Sequence, residues 1–168
     1  MRKLLNLLYD GAAWLAALFM IGILAMVLVS ILGRALDFHL PGTDAYAGYA
    51  MAGAGFLALA HTLKRNEHIR VTLFLGRLQG NARRALELWS LAVAVLLSGL
   101  MAFYAARLCW QSYLFDDMST ANDATPMWIP QMFMAIGTLV LLVAFIDELV
   151  LELRGQRVSL QGEETHYE

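Results

Sequence analysis

Four windows of the chain contain no Asp, Glu, Lys or Arg: residues 11–33, 45–63, 88–106 and 124–146. Within each, apolar residues run on without the strict alternation of a lipid-facing strand. A helix is then the structure that can satisfy its own backbone in lipid. At about 1.5 Å per residue these windows give helices roughly 28–35 Å long, enough to cross a ~30 Å hydrocarbon layer. The pattern predicts an all-α membrane protein. Residues 1–154 form a four-helix transmembrane domain and residues 155–168 a polar tail. The first window follows Arg2 and Lys3, but its apolar run is too long for a cleaved signal segment, so it reads as a retained helix.

The pattern changes between the second and third windows. Over residues 70–85, helical spacing puts Val71, Phe74, Leu75, Leu78, Ala82 and Ala85 on one stripe. Arg70, Arg77 and Arg84 fall opposite, with Arg83 flanking. This predicts an amphipathic helix lying in the interface. Its apolar side faces the acyl chains and its arginines face anionic headgroups, at up to about 1 kcal/mol each. Arg70, Arg77, Arg83 and Arg84 are thus candidate membrane-surface anchors, with membrane lipid as their partner.

Two further local patterns matter. The second window is dominated by alanine and glycine, and small side chains recur four apart at Gly48 and Ala52 and at Ala54 and Ala58. Such spacing lets backbones approach closely in lipid, so these four residues are a candidate helix-packing interface, within the chain or to another subunit. At the start of the fourth window, Thr125 is placed to cap a helix and Pro126 to occupy its first position. Pro130, one turn on, is expected to kink or restart it.

Composition agrees with the pattern. Hydrophobic residues make up 60% of the 168, charged residues 15%, and mean hydropathy is +0.59. A soluble domain carries far more charge. The net charge of −2 matters less than its distribution. Ten of the twelve Lys and Arg lie in the N-terminal segment, the second connection and the tail, leaving only Arg34 and Arg107 in the other two connections. By the positive-inside tendency both termini are cytoplasmic. Trp110 and Trp128 fall near the outer boundary and Trp89 near the inner one, where indole rings favour the headgroups. The single cysteine, Cys109, allows no internal disulfide and no thiolate metal cluster.

The windows also lack the charged group that marks an ion or proton path within a membrane. The polar candidates within them are Ser30, His61, Ser90, Ser98, Gln131 and Thr138, all uncharged at neutral pH. His61 has no second histidine in the windows to share a haem. No catalytic or metal-binding residue is assigned, no cofactor and no nucleic-acid partner are expected, and an enzyme is not indicated.

Two stretches then stand out together: "NEHIRVTLF" after the second window and "TPMWIPQMFMAIG" opening the fourth. With four helices and both ends inside, the chain resembles the small membrane subunit of TRAP transporters (tripartite ATP-independent periplasmic transporters), the DctQ-like family. Glu67, His68, Ile69 and Val71 match one recurring motif of that family, and Thr125, Pro126, Pro130 and Gly137 match another. The acidic, tryptophan-containing start of the second helix common in relatives is replaced by "PGTDAYAGY".

The resemblance implies a division of labour in the bacterial inner membrane. A periplasmic binding protein captures an organic acid, and a larger membrane subunit moves it on a sodium gradient. The small subunit supports that partner. Asp116, Asp117 and Asp123, in the third connection, then become candidate docking charges for the binding protein. The alternatives are a stand-alone four-helix transporter and a membrane assembly protein.

Overall fold

The computed structural model describes residues 2–38, 40–64, 81–121 and 123–154. Four helices make up this part of the chain: α1 (Arg2–Ala35), α2 (Thr43–Lys64), α3 (Asn81–Leu114) and α4 (Trp128–Leu153). The only other pairing among the described residues is an isolated antiparallel bridge between Met118 and Pro126. Three apolar windows fall wholly on one helix each, and the fourth does so from Trp128 onward, because no charge interrupts any of them. The helices are longer than the windows, however. α1 and α3 each run 34 residues, about 50 Å, so their polar ends continue past the apolar slab.

Three helices, α1, α3 and α4, are both long and apolar enough to cross a membrane. α2 is 22 residues, also long enough, but its alanines, glycines and tyrosines make it less apolar. Its place in the fold accounts for that composition. α2 packs along α1 on one side and α4 on the other, while α3 packs on α4. α1 and α3 flank a central α2–α4 pair, and α1 reaches α4 mainly through side chains.

Small side chains make the central contacts. Tyr9, Ala12 and Ala16 of α1 meet Leu57, Ala60 and Leu63 of α2 and Val140, Leu141 and Ala144 of α4. Phe19 adds an edge-to-face contact with Phe133, ring centroids 4.8 Å apart. The closest approach is at Gly137. A Cβ there would stand 2.6 Å from the backbone carbon of Phe56, so only glycine admits α2 at this crossing. Two buried hydroxyls are satisfied within their own helices. Thr138 donates to the Ala135 carbonyl at 2.9 Å and Ser98 to the Val95 carbonyl at 3.1 Å, which removes the cost of a bare polar group in lipid.

The flanking helices turn large apolar side chains outward. Trp14 is 79% exposed on α1 and Phe103 62% on α3. In water such faces would aggregate; here they are the membrane-facing surface.

Candidate functional site

The third connection is tied to the first turns of α2. Within it, the Ser119 amide donates to the Thr125 carbonyl at 2.8 Å and the Met127 amide to the Asp117 carbonyl at 2.9 Å. These bonds close residues 117–127 into a compact turn. Tyr49, on α2, donates its hydroxyl to Ser119 Oγ at 2.7 Å, and Ser119 donates in turn to Asp123 Oδ1 at 2.7 Å. Thr125 donates to the Tyr46 hydroxyl at 3.2 Å, and the Tyr46 and Tyr49 rings meet edge to face. Tyr46 and Tyr49 are three apart, so one helical face presents both phenols to the connection.

Asp123 is the acceptor at the end of this relay. Burial pushes its pKa up, but hydrogen bonds, led by that from Ser119, outweigh it and hold the carboxyl below its ordinary value. Its backbone also packs on Gly42, whose φ of +86° is readily adopted only by glycine, and a Cβ there would lie 2.8 Å from the Asp123 Cβ.

The three candidate docking acids are therefore unequal. Asp116 and Asp117 are exposed, whereas Asp123 is half-buried and bonded inward. Asp116 sits in a left-handed conformation, φ 50°, that helps turn the chain after α3.

The beginning of α4 differs from the expected cap. The helix begins at Trp128, Met127 stands at its cap without a side-chain hydrogen bond, and Thr125 is bonded to Tyr46 instead. Pro126 belongs to the bridge with Met118, ahead of the helix. Pro130 is the third residue of α4, where the amide lacks a helical partner in any case, so it neither kinks nor restarts the helix. Trp128 is instead fixed from α3: Cys109 Sγ lies 3.5 Å from its carbonyl oxygen and Tyr113 meets its ring edge to face.

At the opposite end, His61 Nδ1 of α2 lies 3.7 Å from Asp10 Oδ1 of α1, with Trp14 beside them in an open groove. Asp10 falls just outside the first apolar window, so the sequence offers no sign that it meets His61. Arg83 pairs with Glu87 one turn along α3 at 3.1 Å, and Arg84 is exposed. Asn81 to Ala85, at the end of the expected interfacial helix, form the first turn of α3; residues 70–80 of that helix, with Arg70 and Arg77, lie outside the described residues. So do Glu67, His68, Ile69 and Val71.

The small-residue positions on α2 divide between two surfaces. Ala54 is buried and Ala58 packs against the core, while Gly48 and Ala52 are exposed. A Cβ on Gly48 would meet no atom within 4 Å.

Polar contacts between helices thus collect at the helix ends, and the middle is packed with apolar side chains. Residues 23–155, from the last third of α1 through the end of α4, match the family described as "Tripartite ATP-independent periplasmic transporters, DctQ component". The chain belongs to that family. No curated protein matches it. As a DctQ component it is the small membrane subunit of a TRAP transporter, a part of a tripartite complex and not a member of an enzyme family. The matched range holds Thr125, Pro126, Pro130 and Gly137, and the structure supplies a reason for the last: α2 crosses α4 there.

Proposed function

We propose that this DctQ component is a four-span scaffold in the bacterial inner membrane, with both termini cytoplasmic. It supports a large membrane subunit that takes up an organic acid on a sodium gradient, after delivery by a periplasmic binding protein. The chain itself carries no cofactor and no ion site. The observation that carries this reading is the family match, joined to the absence of Asp, Glu, Lys or Arg from the four apolar windows. α2 spans as the fourth helix, its less apolar surface largely covered by α1 and α4. The ten-to-two distribution of basic residues sets the orientation.

Two surfaces remain for partners. On α2, Gly48 and Ala52 let a neighbouring helix approach closely. On α4, Ile129, Met132, Ile136, Leu139 and Val143 form an exposed stripe at three- and four-residue spacing. Arg70, Arg77, Arg83 and Arg84 hold the cytoplasmic side at the headgroups, and Asp116 and Asp117 face the binding protein.

Copurification tests the reading. Gly48→Leu with Ala52→Leu should reduce recovery of the large subunit while leaving this chain folded. Arg70, Arg77 and Arg84 changed to glutamate should impair assembly or uptake. Unchanged complex yield and uptake in both variants would refute these assignments.

A further inference from the structure

A crevice of about 290 Å³ lies between the last turns of α1 and the first turns of α2, lined among others by Val29, Ser30, Arg34, Phe38, Leu40 and Asp44. Gly42, which packs on Asp123, and Ala121 also line it. Its lining combines an apolar floor with one cation and one anion, at the helix ends where a span leaves the hydrocarbon. Among the described residues neither Arg34 nor Asp44 forms an ion pair; the His61–Asp10 and Arg83–Glu87 pairs lie elsewhere. Arg34 is also the single Lys or Arg of the first connection, on the face of the membrane proposed above to be poor in both. The first amides of α2, at Thr43 to Ala45, adjoin it and have no partner within the helix.

We propose that this crevice holds the head of a zwitterionic phospholipid of the phosphatidylethanolamine class. Arg34 and the first amides of α2 take the phosphate, where a guanidinium and a helix N-terminus act together. Asp44 accepts hydrogen bonds from the primary ammonium. The acyl chains descend past Val29 along the exposed apolar surface of α1. An anionic headgroup would place a further hydroxyl or charge, not a cation, against Asp44. A choline headgroup has no N–H to donate. The chemistry thus selects an amine-bearing phosphodiester. The proposal requires α1 and α2 to end at the membrane boundary and does not depend on a large subunit.

Native mass spectrometry of the full chain, extracted in mild detergent and offered phosphatidylethanolamine, phosphatidylglycerol and phosphatidylcholine together, tests it. One phosphatidylethanolamine should be retained, with about tenfold preference, the worth of one charge-assisted hydrogen bond. Arg34→Gln should lower retention of all three lipids by about tenfold, and Arg34→Lys should restore much of it. Asp44→Asn should keep lipid bound but erase the preference. Ser90→Ala, on α3 and outside the crevice, should change neither. Retention indifferent to Arg34→Gln, a preference for phosphatidylglycerol, or a preference that survives Asp44→Asn would overturn the proposal. So would displacement of the lipid by free phosphoethanolamine at equal concentration, which would mark a site for soluble phosphoesters. Should Arg34→Gln lose its helical circular dichroism, the selectivity of Asp44→Asn decides.

Discussion

The two ends of the α2–α4 pair, inner and outer in the orientation proposed above, are held together by different physics. At the inner end, Tyr9, Ala12, Ala60, Leu63 and Ala144 fill space against one another, and the His61–Asp10 pair between α2 and α1 is long, at 3.7 Å. At the outer end, Tyr49, Ser119 and Asp123 are joined by two hydrogen bonds of 2.7 Å each. Packing of small residues has no direction but leaves no room. A hydrogen-bonded relay has direction, yet any one link is worth only about 0.5–1.5 kcal/mol. The inner end should therefore fail on added volume and the outer end on lost polarity.

The largest effects are expected where volume is added. Ala60→Leu, at a site with 0% exposure, and Gly137→Val, against the Phe56 backbone, should each destabilise by about 1–3 kcal/mol or more and sharply lower the thermal midpoint in detergent. An unchanged midpoint for both would remove the packed side of the contrast.

Next come the polar links. Ser119→Ala and Tyr49→Phe should each cost about 0.5–1.5 kcal/mol. The pair should cost less than the sum, because the two hydroxyls share one bond. Hydrogen exchange should rise at residues 117–127 and stay constant on α1. Additive losses would show that the relay does not act as a unit.

A smaller effect follows acidity. The Asp123 pKa is lowered in the folded chain, so its contribution is present above the ordinary carboxylate value. It is lost as pH falls from there toward the folded value. Acidification should loosen the outer connection before the inner core, and Asp123→Asn should remove that pH dependence. Melting curves across this acidic range would reveal it, and an identical slope in the variant would contradict it.

His61→Gln should matter least. Asp10 is 60% exposed and the separation is long, so the change should be under about 1 kcal/mol. A loss as large as that of Ala60→Leu would mean that the inner end also rests on polarity.

The sequence carried much of the fold and less of the sites. Uninterrupted apolar runs located all four helices, since in lipid a continuous apolar segment has few other options. Helix ends were less legible: hydropathy stops at the first charge, whereas α1 and α3 carry their hydrogen bonding past Asp10 and Arg107. Packing order was not legible either. The Gly48–Ala52 and Ala54–Ala58 pairs look alike along the chain, but 100° per residue places them about a third of a turn apart. Only the positions of α1 and α4 decide which pair is buried. Asp123 misled for a similar reason. An acid in a polar connection reads as surface, and its partner Tyr49 lies 74 residues earlier on another helix. Thr125 had the residue type of a cap, but Tyr46 offered it a tertiary partner instead. Gly137 was found through the family motif, while the need for glycine there comes from the backbone of Phe56.

The central claim is that this chain supports transport and does not perform it. The direct measurement is sodium-driven uptake of an organic acid into proteoliposomes holding this chain alone, the large subunit alone, or both, each with the binding protein. The account predicts uptake with both subunits and none above empty vesicles with this chain alone. Uptake by this chain alone, abolished by dissipating the sodium gradient, would contradict it.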